Sequence, residues 1–421
     1  EKDVTAELVN EVWVQSGGMP RFANEILEDI KIRSRQTREA GGRVSDQVGE
    51  IVLHRIDSLD VSVRNVLNVG AVIGSSFSLM DVFAVLRESA EESEGDLRGE
   101  AIKALETAVR EGILYTQDES PTAMATNDDT TFAFHHEVWH ATLLGLMLDS
   151  RKRDVHRKVA QAISARFEGR EMPLEFQEKL FRHWKATGDT AKATETALSI
   201  GETHSEQVIV LYIEALQMWH WDDSMSTGIG GFSEQVLRLM GARDLTNIIS
   251  LLVAMGQTYV ATNMHKAGVT AFENALRVLQ IAGNSSQIRD RSIVFPAFIG
   301  LASAVHEGYV TQDIFLRYEQ ALIRRFLKET RKHGRLIHHI KGLSLQIDVY
   351  ARLGEFEKAI AVQSVIKNLY NPERHSALLT KVYGSDSGAI SFSLAANWHR
   401  VQGSQKQALK ACRHALKEVI P

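Results

Sequence analysis

Cysteine is almost missing from this sequence: Cys412 stands alone among 421 residues. A lone thiol excludes an intrachain disulfide and a cysteine-based zinc site, and it fits a reducing, cytoplasmic setting. Proline is also scarce, with six residues. Long proline-free stretches favour helix, because an interior proline removes a backbone donor and clashes with the preceding turn. Long apolar runs are absent. The longest, Ile293 to Val305, contains Pro296 and falls short of the roughly 20 residues that span a bilayer, so no membrane partner is expected. The start, Glu1 to Val14, is polar and amphipathic rather than a secretory signal. Because residue 1 is Glu1 and not methionine, the sequence is expected to be a fragment or a processed product. A phosphate-binding G-x-x-x-x-G-K-[ST] loop occurs nowhere; Gly70 to Ser76 has glycines and small residues but no lysine. The net charge of -5 argues against a protein devoted to nucleic acid.

What is present reads as helix. Hydrophobic residues make up 44% and charged residues 24%, ordinary values for a globular chain, and the length calls for two or three domains. Leu8, Val9, Val12 and Trp13 have helical spacing over Thr5 to Ser16, with Thr5 as N-cap and Gly17-Gly18 as the stop. Pro20 opens a second helix, to about Ile32, and the polar stretch Ser34 to Ser45 reads as a linker. Asp46 to Gly74 gives two helices, Leu79 to Leu86 a short one, and Leu97 to Glu111 a longer one. Ile113-Leu114-Tyr115 and Phe132-Ala133-Phe134 flank a polar loop. Three helices followed by two short strands form the winged-helix pattern. From His136 onward the chain reads as helical, with internal similarity near the 34-residue length of tetratricopeptide repeats (TPRs). Asn247 to Ala282 supplies Met255, Gly256, Tyr259, Gly268, Phe272 and Ala275 at the offsets that motif requires. Partial copies hold Tyr350, Gly354, Ala359 and Pro372, then Gly403, Ala408 and Ala415, and an earlier relative holds Trp184, Gly188 and Ala193. Such hairpins each leave an apolar face bare and therefore stack into a solenoid.

The order of these pieces resembles the STAND class of AAA-like signalling ATPases, and more narrowly those that accompany a class III adenylate or guanylate cyclase or a protein kinase domain. Four stretches carry the likeness: Gly17-Gly18-Met19-Pro20-Arg21-Phe22; Phe132 to His136, with the helix after it and Arg151 to Lys158; Leu180 to Ala193; and Tyr370 to Trp398. The resemblance implies a sensor and restraint. An ATPase core outside this chain would hold ATP and magnesium, the winged helix would pack on it at rest, and the repeats would recognise a protein or small-molecule ligand and release it. It also implies that Pro20 is the lid proline near the adenine, with Arg21 directly after it, so these two are the cofactor-binding candidates.

Other motifs compete with that reading. His136-Glu137-Val138-Trp139-His140 is a literal H-E-x-x-H, which on a helix would set two imidazoles one turn apart for zinc with Glu137 as general base. Leu143 occupies the glycine position of the extended motif, leaving Glu168 or Glu171 as a third ligand by position only. The plain alternative is a helix leaving the last strand. DNA binding through Leu97 to Glu111 meets an electrostatic objection. From Arg87 to Glu111 four basic residues face eight acidic ones, a net of -4 that repels phosphate. A transcription activator of the same ATPase group would need a separate basic module. The basic clusters Arg151 to Lys158 and Arg324 to Lys341 read either as solvated helix faces or as docking surfaces for an acidic partner or the ATPase core. His333, His338 and His339 read as surface or capping residues. Trp219 and Trp221 either cap a core or line a concave ligand face.

The expected architecture is all-α in the main, with a small winged-helix domain and a TPR-like superhelix: residues 1–40 as the end of an ATPase lid, 41–170 as winged helix and exit helices, and 171–421 as repeats. No Ser-His-Asp, Cys-His or paired-carboxylate arrangement supplies a catalytic centre. Purified on its own, the chain is expected to turn over no ATP above the buffer rate in a phosphate-release assay; magnesium-dependent release would contradict this.

Overall fold

A computed structural model of the chain describes residues 9, 12, 13, 23, 52–87, 94–116, 130–203, 208–221, 231–283, 288, 291–308 and 313–419. The helices expected between Thr5 and Ile32, and with them Pro20 and Arg21, lie outside the described residues apart from the helical positions Val9, Val12, Trp13 and Ala23. The chain divides into two compact units, Glu1–Asp189 and Thr190–Pro421.

In the first unit a helical run at 52–58 leads to α1 (Val61–Ile73), β1 (Ser76–Ser78), α2 (Leu79–Arg87), α3 (Glu94–Arg110), β2 (Leu114–Thr116) and β3 (Thr131–Phe134). Then follow α4 (Glu137–Leu146), α5 (Asp149–Arg166) and α6 (Leu174–Thr187). The strands form an antiparallel sheet in the order β1-β3-β2, with Phe77 opposite Phe132 and Leu114 opposite Phe134. Strand β1 is an addition to the two strands expected. At three residues it is too short to show an alternating pattern in sequence. It delivers Phe77 to the core, where the ring stacks on Phe132 at 6.1 Å and meets Phe134 at 5.8 Å. Gly70 of α1 makes room for it, since a Cβ there would lie 2.5 Å from the Phe77 ring.

The second unit is a TPR-like superhelix. After α7 (Thr190–Thr203), α8 (Ile209–Met218) and α9 (Glu234–Leu239) come four hairpins. They are α10 (Ala242–Ala261) with α11 (His265–Gly283), α12 (Phe295–Gly308) with α13 (Asp313–His333), α14 (Leu336–Arg352) with α15 (Phe356–Leu369), and α17 (Ser387–Val401) with α18 (Gln405–Val419). A further helix, α16 (Pro372–Tyr383), is inserted before the last pair, opened by Pro372 and capped by the Asn371 side chain. Each second helix packs against the first helix of the next pair, so the hairpins share one continuous core. The pair α12/α13 carries no recognisable repeat signature, and its first helix shows in sequence only as an apolar run.

One device recurs through the stack. A glycine in the first helix of a hairpin receives a side chain from the hairpin before it, from its second helix or, for Tyr370, from the C-cap of that helix. A Cβ at Gly300 would lie 2.2 Å from the Phe272 ring, and one at Gly388 would lie 2.3 Å from Tyr370. At Gly342 the intruding atoms are Leu327 at 2.8 Å and Phe326 at 3.2 Å. Phe272 is fully buried and also fills the space over Gly256 of its own hairpin. Burying such a ring contributes roughly 1.5–3 kcal/mol, and only a bare Cα lets the helices come close enough to cover it. Gly300→Ala is therefore expected to cost about 1–3 kcal/mol through overpacking. Phe272→Leu, which withdraws the ring, should recover part of that loss in the double variant. Urea-unfolding midpoints of the two single variants and the double variant measure this; additive losses would contradict it.

Candidate functional site

The H-E-x-x-H motif is structural. Helix α4 begins at Glu137, so His136 is its extended N-cap (φ -150°, ψ 144°), and its Nδ1 accepts the Val138 backbone N–H at 3.2 Å. His140 Nε2 donates to the carbonyl of Ala71 at 2.8 Å, tying α4 to α1. The two imidazoles are thus held by backbone groups on separate errands, which corrects the picture of two rings on one helical face. No group of three or more His, Cys, Asp or Glu able to hold a metal occurs among the described residues. Trp219 and Trp221 are buried: the Trp219 indole donates to Thr194 Oγ1 at 3.1 Å, and Trp221 meets the Phe232 ring edge-on at 5.0 Å. They belong to the core of the superhelix.

Of the two basic clusters, that on α5 is largely neutralised within its own helix. Lys152 pairs with Asp149, and Arg157 and Lys158 both pair with Asp154. The cluster on α13 is arranged otherwise. Arg317, Arg324, Arg325, Lys328, Arg331 and Lys332 are all exposed, and at 3.6 residues per turn they fall within an arc of about 120° running for about 22 Å. The described acids of this helix point the other way. Glu319 is buried and paired with Arg352 of α14, and Glu329 pairs with Arg291 at 3.5 Å. The histidines that follow divide: His333 is exposed, His339 Nδ1 lies 3.0 Å from Thr330 Oγ1, and His338 sits between the Phe295 and Tyr383 rings.

Two grooves open on the second unit. One, of about 530 Å³, runs between α11 and α13 beside the cationic row. The buried Leu276 and Leu322 form its floor, and the exposed Glu273, Arg277, Ala321 and Arg325 its rim. Across it the Tyr318 hydroxyl donates to Glu273 Oε1 at 2.7 Å, and burial together with that carboxylate pushes the phenol's pKa up. The other, of about 460 Å³, lies between α7, α8 and α10 and is lined by Leu198, Gly201, Glu202, Tyr212 and Gln257. Burial, with the Glu202 carboxylate nearby, pushes the Tyr212 phenol up to about 12, so it stays a neutral hydroxyl. Both grooves offer hydrogen-bonding groups over an apolar floor, the make-up of a recognition surface.

No protein-family model matches the chain, and no curated protein does. Among solved structures the chain is similar to the crystal structure of a signal transduction ATPase with numerous domains (STAND) protein with a tetratricopeptide repeat sensor, from Pyrococcus horikoshii. The identity is 11% and the TM-score 0.30, with 99% of this chain and 58% of that chain covered. The chain thus spans little more than half the length of that protein.

Sequence reasoning located the α13 cations from Arg324 to Lys332 but not Arg317, and it missed the groove beside them, because the partner helix α11 lies some 45 residues away in sequence. It also missed a pairing of two histidines. His156 of α5, expected on a basic face, turns inward, and its Nδ1 lies 2.8 Å from Nδ1 of His183 on α6. One ring must donate and the other accept, so the contact tolerates one shared proton and not two. Burial first, then the charges of His156 and Lys179, lower His183 from 6.5 to about 3, and burial alone lowers His156. Below its unfolded value His183 therefore binds fewer protons folded than unfolded. Stability is whole above about pH 6.5 and is lost as pH falls toward about 3, at up to about 1.4 kcal/mol per pH unit for this group. The first unit should melt at progressively lower temperature from pH 6.5 to 5. His183→Gln, which keeps a hydrogen-bonding group without the titration, should flatten that dependence; an unchanged slope in circular-dichroism melts would exclude His183 as its source.

Proposed function

We propose that this chain is the sensor and protein-interaction arm of a multidomain signalling ATPase of the STAND type. The observation that supports this best is the second unit itself: helical hairpins stacked into a superhelix, with a polar-rimmed groove on α7/α8/α10 and another on α11/α13. Such an array presents an extended surface for a bound segment. In the first unit, the order helix, strand, helix, helix, strand, strand supports a winged helix over 61–134. Among the described side chains of α3 the exposed ones are Glu100, Lys103, Glu106 and Arg110, of both signs, which suits packing on a protein better than on a phosphate backbone. In this reading a P-loop module outside the chain holds ATP and magnesium, Pro20 and Arg21 close its lid, and occupancy of the repeats sets the activity of a nucleotide cyclase or kinase effector.

The test is made on the native polypeptide, precipitated from its source with an antibody against residues 190–421. Its mass and its ATP turnover should reveal a P-loop ATPase on the same polypeptide, and turnover should change when residues 190–421 are deleted at the gene. A polypeptide with no nucleotide-binding module, or one whose turnover ignores the deletion, overturns the proposal.

A further inference from the structure

The exposed face of α13 is the least explained surface of the molecule. Of its six cations, the five from Arg324 to Lys332 stand three or four residues from one another, where like charges oppose helix formation, and Arg317 continues the face two turns earlier. None forms an ion pair with a described carboxylate, although the same helix carries Glu319 and Glu329. Those acids are drawn inward by Arg352 and Arg291, so among the described side chains of α13 the fold separates the charges and leaves one sign outside. The whole chain is acidic, with a net charge of -5, so the row is a local exception and not a consequence of composition.

We infer that the α13 row and the α11/α13 groove beside it form a docking site for an acidic segment of a partner protein, its carboxylates set along the row and its apolar side chains over Leu276 and Leu322. Charge complementarity selects the occupant. A row one helix wide suits a single segment, and about 22 Å matches some four turns of helix. Glu273 on the rim, with the Tyr318 hydroxyl, offers hydrogen-bonding groups that suit a polypeptide. Nucleic acid is disfavoured further by the acidic chain as a whole. Arg325 is held in place by its position over the Phe298 ring at 5.6 Å, which lowers the entropy lost on binding. The inference rests on the sensor-arm reading only in supplying that arm with a partner class.

The experiment uses the full chain and a fluorescein-labelled 16-residue helical peptide with glutamates along one face and leucines beside them. Fluorescence anisotropy should show binding that weakens with salt. The peptide should bind at least about fivefold tighter than its scrambled isomer. The triple variant Arg324→Glu, Lys328→Glu, Arg331→Glu should bind about tenfold more weakly or worse, with the three glutamine replacements falling between. Arg157→Glu on α5 should leave binding unchanged. These positions are exposed, and unchanged circular-dichroism melts will show that each variant is folded. Equal binding of the scrambled peptide, indifference to the triple variant, or displacement by a single-stranded oligonucleotide at a lower concentration than by the peptide would each overturn the inference. Peptide binding is read on this chain without any ATPase, whereas the sensor-arm reading is tested by ATP turnover of the native polypeptide, so either can fail alone.

Discussion

The close approach of helices over glycine is the constraint on which the rest of the structure depends. A helix presents a cylinder of side chains, and two such cylinders ordinarily keep 8–10 Å between axes. Where a ring must be buried between them, one partner has to give up its own side chain. Gly256 and Gly300 do so for Phe272, Gly388 does so for Tyr370, and Gly70 does so for Phe77 in the first unit. Each exchange costs helix propensity, on the order of 1 kcal/mol for a mid-helix glycine relative to alanine. Ring burial returns more than that. Phe272 and Tyr370 each come from one hairpin and fill a socket in the next, at Gly300 and Gly388, so the same contact also sets the neighbour's position. The grooves inherit their shape from it: Tyr212, whose hydroxyl sits where a Cβ of Gly201 would be, is a wall of the α7/α8/α10 groove.

Charge is distributed by a second rule. The two described carboxylates of α13 pair with residues of other elements, and the cations of that helix are left at the surface. Glu319 is buried, and removing Arg352 would leave an uncompensated buried charge, which is strongly destabilising. The exposed pairs along α5 carry no such weight, since pairs in water contribute about 0–1 kcal/mol. The two basic clusters, alike in sequence, therefore differ in consequence. On α5 Asp149 and Asp154 stand among the cations and neutralise them, while on α13 Glu319 and Glu329 are turned away.

The H-E-x-x-H stretch shows how local structure overrides a short motif. Its metal-binding geometry needs both histidines inside one helix, and here the helix boundary falls between His136 and Glu137. The first histidine does the work of a capping residue, satisfying an N–H that the first turn leaves without a partner. The second anchors α4 to the end of α1. Both rings are thus engaged by backbone groups.

Helical character, the hairpin at Asn247 to Ala282 and the stretches that became β2 and β3 were legible in the sequence. They depend on periodicity, on breakers such as Gly354 and Gly403, and on small residues at fixed offsets, all of which are local. The strand β1, the hairpin α12/α13 and the inserted α16 were not read, because a three-residue strand and a uniformly apolar helix have no period to detect. Of the candidate site, the cations of α13 were visible as letters. Their exposure, the inward turn of the acids and the groove against α11 were not. Those depend on which residues, tens of positions away, come to lie opposite, as Arg352 does for Glu319 and Phe272 does for Gly300. The sequence alone determined that this chain would be a stack of helices. Only the tertiary structure decided which charges of α13 would face the solvent, since the pairs that draw Glu319 and Glu329 inward are formed with residues of other elements.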